Sequence, residues 1–246
     1  MLNKSRCSYC WPHLLCNNQP FCSSLLGIRS SRHSRARAMT KHQTQTTWHP
    51  IVGVLALQGD FREHSKMLAE VGAQAREVRL PADLEGLDGL IIPGGESTTI
   101  GKLMVAYNLQ QPLRDLIASG TVVWGTCAGL ILLARETDNA RAGQPLLATM
   151  HIRVKRNAFG SQGDSFEADI QIPALGEPPF HAVFIRGPSI EHINEGVEVL
   201  ARLDDGTIVA VRQDNLLGTA FHPEIGGDPR FHAYFLRLIA RQRAQH

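Results

Sequence analysis

Hydrophobic residues after position 50 follow two different spacings along the chain. Continuous apolar runs, as at 51–57 (IVGVLAL), are typical of strands buried on both faces of a sheet. Elsewhere apolar residues recur every three or four positions, as in Phe61, Leu68 and Val71, which indicates helices. In the first half of this region the patterns predict strands at 51–57, 75–80, 90–92 and 121–124, and helices at 61–71, 98–107, 112–118 and 127–134.

The second half is richer in strands. Asp205-Gly206 is a hairpin-turn signal, and apolar residues spaced as in a helix occur from Phe231 to Ile239. The patterns predict strands at 150–155, 166–172, 182–186, 197–203, 207–212 and 217–221, then a terminal helix. Strands that alternate with helices favour an α/β fold, an open and mostly parallel sheet with helices on both faces. We predict one domain over residues 50–246.

The first 49 residues differ from the rest of the chain in charge. The first 50 contain seven Lys or Arg and no acid, so the remainder has 18 bases against 23 acids. An acidic body gives no reason to expect nucleic acid as a partner. No apolar run approaches the roughly 18 residues of a membrane span.

The basic extension at 1–49 has three interpretations. Its Arg- and Ser-rich composition is that of an organelle transit peptide. Its Cys7-x2-Cys10 pair, with His13, Cys16 and Cys22, contains enough ligands for a zinc site. The third interpretation, which we favour, is a disordered segment, or one left untranslated by a start at Met39. Cys127 is alone in the body, which is typical of a reducing, cytoplasmic protein.

Cys127 lies at the corner between a predicted strand and a predicted helix. The sequence GTCAG at 125–129 matches the nucleophile elbow G-x-S-x-G with sulfur in place of oxygen. Glycines on both sides suit a turn without room for Cβ atoms, and the helix N-terminus favours the thiolate. The backbone N–H of Ala128 is then available to an oxyanion. The alternative is a small, buried, inert cysteine.

A base for this nucleophile is available in FHPE at 221–224. His222 and Glu224 follow a predicted strand, and Pro223 favours an extended backbone that projects both side chains from one face. Glu224 could then hold the imidazole of His222 in the tautomer that serves Cys127.

A third polar segment, PGGESTT at 93–99, also follows a strand. Gly94 and Gly95 would let a backbone N–H turn toward an oxyanion, and Glu96 and Ser97 would offer polar groups to a substrate. The structural alternative is a helix cap supplied by Ser97 or Thr98.

These segments together resemble the class I glutamine amidotransferases, and among them the glutaminase subunits of pyridoxal 5′-phosphate synthase. The resemblance spans residues 51–240 in the family's order. Ser161 stands where a basic residue is common, and Pro188 follows Gly187 where Ala is expected. The motifs that carry the resemblance are LALQGDFREH (55–64), PGGEST (93–98), GTCAGLILLA (125–134), RNAFG (156–160), SFEA (165–168), FIRGP (184–188) and AFHPE (220–224).

The resemblance implies a role for each site residue. Cys127 would be the nucleophile, His222 the general base and acid, and Glu224 its orienting partner. Gln58 would lie near the oxyanion region and respond to a partner subunit. The residues implied to bind L-glutamine are Gly95, Glu96, Ser97, Arg156, Ile185 and Arg186, with Arg156 or Arg186 suited to the α-carboxylate.

The resemblance also implies partners. Ammonia released from glutamine would pass to a separate (β/α)8-barrel synthase subunit, and this chain would need no metal or organic cofactor. Three alternatives stay open: another amidotransferase glutaminase, a non-catalytic docking subunit, and a general cysteine hydrolase. Ile131 argues against the first, because imidazole glycerol phosphate synthase subunits usually have Gln there, and the complete triad argues against the second.

Overall fold

The computed structural model describes residues 48–139, 143–158 and 165–245. Apart from Trp48 and His49, the predicted basic extension, with its transit-peptide and zinc interpretations, lies outside the described residues, and so does Ser161. The described helices include none that is long and apolar enough to cross a membrane.

Twelve strands and five α-helices occur within the described ranges. The strands are β1 Ile51–Leu55, β2 Gln74–Val78, β3 Gly89–Ile92, β4 Val122–Thr126, β5 Ala134–Asp138, β6 Met150–Lys155, β7 Ser165–Ile170, β8 Phe180–Ile185, β9 Ser189–Ile193, β10 Glu198–Arg202, β11 Ile208–Gln213 and β12 Leu216–Thr219. The helices are α1 Phe61–Glu70, α2 Ser97–Ala106, α3 Gln110–Ala118, α4 Ala128–Leu133 and α5 Arg230–Arg243, with a 3-10 turn at Pro81–Leu84.

The main sheet is parallel in one half and largely antiparallel in the other. Its order is β2-β1-β3-β4-β12-β11-β9-β6-β5, with β10 paired to β11. Strands β2 to β12 in this order pair in parallel, whereas β12-β11, β11-β9 and β9-β6 pair antiparallel. Asp214 and Asn215 connect β11 to β12, and two residues can connect only antiparallel neighbours. The predicted α/β class is confirmed. The sheet contains both parallel and antiparallel strand pairs.

Two adjacent residues of β4 show that helices cover both faces of the sheet. The Trp124 ring packs against Phe231 and Phe235 of α5, whereas a Cβ on Gly125 would meet the backbone of α4. Successive strand residues point to opposite faces, so α5 and α4 lie on opposite sides of β4. Strands β7 and β8 form a separate two-stranded antiparallel sheet.

The predicted elements are present with boundaries shifted by a few residues, but two strands were not predicted. Both β5 (ARETD) and β9 (SIEHI) contain charged residues and are only partly buried. Neither sequence has the continuous apolar run that predicts a strand buried on both faces. The predicted helix at 127–134 is shorter, because β5 begins at Ala134.

Candidate active site

Cys127 occupies a strained corner of the backbone. Strand β4 ends at Thr126 and α4 begins at Ala128, and Cys127 between them has φ +47° and ψ −100°, a conformation that L-residues rarely adopt. The flanking glycines have no space for a side chain, as predicted: a Cβ on Gly129 would overlap the carbonyl of Ile92. The N–H of Cys127 donates to the carbonyl of Thr219 at 2.8 Å. This bond ties the elbow to the neighbouring strand.

His222 lies beside the elbow because β12 runs next to β4. Thr126 and Thr219 are paired in register at the ends of these parallel strands, and His222 follows three residues later. The His222 N–H donates to the Val183 carbonyl at 2.8 Å, which fixes its backbone. Its Nδ1 lies 2.7 Å from Oε1 of Glu224, and both side chains are buried.

The electrostatics of this pair favour a charged histidine. Burial alone lowers the pKa of His222, but hydrogen bonds with Asp60, Cys127 and Glu224 more than offset it and raise the pKa to about 12. Burial raises the pKa of Glu224, and the hydrogen bond from His222 opposes that rise. Because Nδ1 faces Glu224, Nε2 is the nitrogen available to Cys127.

Asp60 is a member of this network that was not predicted from the sequence. Its Oδ2 lies 3.4 Å from Nδ1 of His222, and its pKa is lowered, mainly by the hydrogen bond with His222. Among the described residues, Asp60, His222 and Glu224 are the one set close enough together to hold a metal ion. Their mutual hydrogen bonds and opposite charges account for the cluster without one. The sequence feature that could have identified Asp60 is its position in the LQGD stretch at 57–60.

Two completely buried histidines lie behind Glu224. His64 Nε2 is 3.3 Å from Oε2 of Glu224 and 3.2 Å from Oγ1 of Thr126, and its Nδ1 is 2.9 Å from Nε2 of His232. Burial lowers the pKa of both, that of His64 well below its usual value and that of His232 to about 3. Both are therefore neutral. Neither was predicted to belong to the site, because a histidine at helical spacing is indistinguishable from an ordinary core position.

The 93–99 segment caps a helix with a residue other than those predicted. Glu96, rather than Ser97 or Thr98, is the N-cap of α2, and its carboxylate accepts from the N–H groups of Thr98 and Thr99. Burial raises the pKa of Glu96, but these hydrogen bonds outweigh it and lower the pKa to about 2. Glu96 Oε1 also lies 3.4 Å from Nη2 of Arg156. Glu96 is therefore charged and held in place.

The loop after β1 is bound to the loop after β3. Oε1 of Gln58 accepts the Glu96 N–H at 2.7 Å, and the Asp60 N–H donates to the Gly94 carbonyl at 3.3 Å. Gly94 lies directly against the His222 ring, since a Cβ there would overlap Cε1. Gly94 is thus adjacent to His222, and Gln58 is bonded to the same loop two residues further on.

Two of the remaining predicted residues share one hydrogen-bond partner. Ser97 and Arg156 are both hydrogen bonded to Gln144, a residue that no sequence pattern had indicated. Ile185 ends β8, the strand whose Val183 anchors His222, and Ile185 and Arg186 are exposed. Arg186 has φ +46°.

Comparison with known proteins first defines the class. A solved structure described as a glutamine amidotransferase is 51% identical, has a TM-score of 0.72 and matches 77% of this chain and 98% of its own. The structure of PurLQS from Thermotoga maritima shares the fold at 16% identity and a TM-score of 0.58, covering 79% of this chain and 99% of its own. The model of the SNO glutamine amidotransferase family matches residues 54–241. The chain therefore belongs to the SNO glutamine amidotransferase family.

The relatives found by sequence share a more specific description. The pyridoxal 5′-phosphate synthase subunit PdxT of Herpetosiphon aurantiacus is 59% identical over 188 residues, which are 76% of this chain and 99% of the relative. The PdxT subunit of Moorella thermoacetica is also 59% identical over 188 residues, 76% of this chain and 98% of its own. The resemblance stated from the sequence motifs is confirmed by these matches.

Proposed function

We propose that this chain hydrolyses L-glutamine to L-glutamate and ammonia as the glutaminase subunit of a pyridoxal 5′-phosphate synthase, with Cys127, His222 and Glu224 as the catalytic triad. The observation that supports the triad is the adjacency of two strand ends. The elbow at Cys127 follows β4, and the buried pair of His222 and Glu224, 2.7 Å apart, follows β12 beside it. Family membership supports the substrate.

The first half of the reaction forms a thioester. The Cys127 thiolate attacks the side-chain amide carbon of glutamine, and the carbonyl π electrons move onto oxygen. The N–H of Ala128 serves the oxyanion, because the first residues of a helix have N–H groups without intrahelical acceptors. When the C–N bond breaks, the His222 imidazolium donates its proton to the leaving nitrogen, and ammonia departs.

The second half hydrolyses the thioester. The now neutral His222 takes a proton from water, the oxygen attacks the γ-glutamyl carbon, and the C–S bond breaks. Glutamate leaves, and the thiolate and imidazolium are restored together. Glu224 stays ionised and keeps the ring of His222 oriented through Nδ1. No step requires a metal or an organic cofactor.

We assign Arg156 and Glu96 to the two charged groups of the amino acid. The Arg156 guanidinium suits an α-carboxylate, since it offers parallel N–H donors, and Glu96 is charged and suits an α-ammonium. Gly95 and Ser97 flank Glu96 and complete this side of the site, and we assign Ile185 and Arg186 to its rim. This binding arrangement is part of the proposal.

The partner we propose is the (β/α)8-barrel synthase subunit of a hetero-oligomeric complex, which would receive ammonia before it becomes ammonium in bulk water. The relatives' description as synthase subunits supports it. We further propose that residues 50–246 are the glutaminase domain, that residues 1–49 are an extension without catalytic role, and that the protein works in the cytoplasm.

The proposal is tested by steady-state release of glutamate and ammonia in the presence of the barrel subunit. We expect the two products in equal amounts, and a γ-glutamyl adduct on the peptide that contains Cys127 after acid quenching. A purified complex that releases neither product would contradict the proposed function, and release by Cys127→Ala would contradict the triad.

A further inference from the structure

Gln144 connects the two sides of the proposed glutamine site through a single side-chain amide. Its Oε1 accepts from Nη1 of Arg156 at 2.8 Å and from Oγ1 of Thr98 at 3.4 Å. Its Nε2 donates to Oγ of Ser97 at 3.1 Å. Both ends of the amide are therefore occupied, and its orientation is fixed by its partners.

The backbone next to Gln144 is held firmly by neighbouring helices. Gln110 and Arg114 of α3 both donate to the Leu146 carbonyl, at 2.9 Å each, and Arg114 also donates to the Leu147 carbonyl at 3.0 Å. The Leu147 N–H donates to the Leu132 carbonyl of α4 at 2.7 Å. Because these bonds fix the backbone next to Gln144, its side chain can hold Arg156 in a defined position.

Arg156 has few other constraints. It follows the end of β6, and its guanidinium, on a side chain that is 14% exposed, is held on its other side by Glu96 at 3.4 Å. A long side chain at such a position would otherwise sample several rotamers. The bonds to Gln144 and Glu96 use one Nη1 hydrogen and one Nη2 hydrogen, which leaves the other N–H donors of the guanidinium for a substrate.

We propose that Gln144 is a positioning residue that selects for the α-carboxylate of glutamine by fixing Arg156 and Ser97 relative to each other. This inference rests on the function proposed above and adds a specificity-determining residue to it. A neutral amide can do this where a carboxylate cannot: it accepts from Arg156 without neutralising its charge, and it donates to Ser97. Glu96 already lies 3.4 Å from Arg156, and a second carboxylate at position 144 would compete with the substrate for the guanidinium.

The experiment compares L-glutamine with L-glutamine α-amide, in which the α-carboxylate is replaced by a neutral amide. The measured quantity is the ratio of kcat/KM for the two substrates, in the complex with the barrel subunit. Gln144→Leu should lower this ratio roughly 10-fold, because one charged hydrogen bond contributes a factor of about that size. The loss should appear as a higher KM for glutamine, with kcat changed less than about 3-fold. Gln144→Glu keeps the size of the side chain and should lower the ratio similarly, because its carboxylate competes for Arg156.

The matched control is Gln110→Leu. Gln110 is anchored to the same segment, at Leu146, but Arg114 still holds that segment when Gln110 is removed. The control should keep the wild-type ratio. The inference is overturned if both Gln144 variants keep the wild-type ratio, or if Gln110→Leu lowers it equally. A wild-type complex that releases no glutamate would instead overturn the proposed function.

Discussion

Nε2 of His64 lies 3.3 Å from Oε2 of Glu224, and both side chains are completely shielded from solvent. The carboxylate that orients His222 through one oxygen therefore faces a second histidine with the other. His64 is neutral, because burial, assisted by the interactions with His232 and His222, lowers its pKa well below the usual value. Glu224 consequently keeps its strongest interaction with the charged His222.

The neutral histidines make stability depend on pH. The pKa of His232 falls from its usual 6.5 to about 3 on folding, so between these values the unfolded chain binds a proton that the folded chain does not. Stability is therefore complete above pH 6.5 and is lost as the pH falls toward 3, by about 2 kcal/mol at pH 5. In His232→Gln the drop in unfolding free energy between pH 8 and 5, measured by urea denaturation, should be smaller by about that amount. His192→Gln, at an exposed position of β9, is the control and should keep the wild-type drop.

Substitutions in the triad should separate chemistry from binding. Cys127→Ala should abolish glutamate release while glutamine still binds, since the walls of the site remain. His222→Asn should be nearly as severe, and Glu224→Gln less so, because the base survives without its orienting charge. Steady-state kinetics and calorimetric titration of glutamine check both parts. Equal losses in all three, together with loss of binding, would indicate a misfolded site instead.

Gly94→Ala should inactivate the enzyme without unfolding it. The added Cβ overlaps Cε1 of His222, so the ring must move, and a shift of about 1 Å at a catalytic group costs roughly 100-fold in rate. Gly86→Ala is the control: a Cβ there meets no atom within 4 Å, although φ +70° makes it costly for stability. Its kcat should match wild type. Wild-type kcat in Gly94→Ala would mean that the His222 ring is placed differently during turnover.

Docking of the barrel subunit should raise glutaminase activity through the loop that contains Gln58. In the free chain the Gly94 carbonyl accepts from Asp60, and Gln58 holds the Glu96 N–H, so the Gly94–Gly95 peptide has a hydrogen-bonded orientation that docking could reverse. One added oxyanion donor changes the rate roughly 10²- to 10³-fold. We expect a low kcat for the isolated chain and a rise of this order when the barrel subunit is added. Gln58→Ala should lose that rise. Full activity in the isolated chain would remove this switch and leave the triad intact.

Removal of residues 1–47 should leave folding and partner-activated kcat unchanged. The truncated chain keeps Trp48, whose ring lies 4.7 Å from the guanidinium carbon of Arg243 and packs against the core. Thermal melting and glutamate release check the outcome. Insoluble truncated protein, or stoichiometric zinc in the full-length chain, would contradict the proposed extension.

The sequence predicted those features that depend on a local pattern. The buried runs of β1 and β4 are continuous and apolar, and the elbow at Cys127 follows from glycines that a sharp turn requires. Antiparallel pairing of β10 with β11 was signalled by Asp205-Gly206. The connection from β11 to β12 runs through Asp214, whose φ is 50°, and contains no glycine to mark it as a turn. Strand β9 was missed because it is half exposed.

Within the site, the residues that could be predicted are those that follow predicted strands, as Cys127 and His222 do. His222 and Glu224 are two residues apart, so their contact could be predicted from their spacing. His64 contacts Glu224 from α1, and Gln144 reaches Arg156 from a segment without periodicity. Such contacts arise from tertiary packing, so no local pattern of residues contains them.

The placement of Cys127 and His222, the proposed nucleophile and base, at the ends of neighbouring strands has a consequence for synthesis. Strand β4 and strand β12 are adjacent in space but lie far apart along the chain, with five strands of the main sheet made between them. A ribosome produces Cys127 95 residues before His222. His232, the hydrogen-bond partner of His64 in α1, is made later still. Long-range pairing of this kind forms late in folding. An incomplete chain therefore has Cys127 without His222, and on the proposed mechanism it hydrolyses no glutamine until this domain is finished.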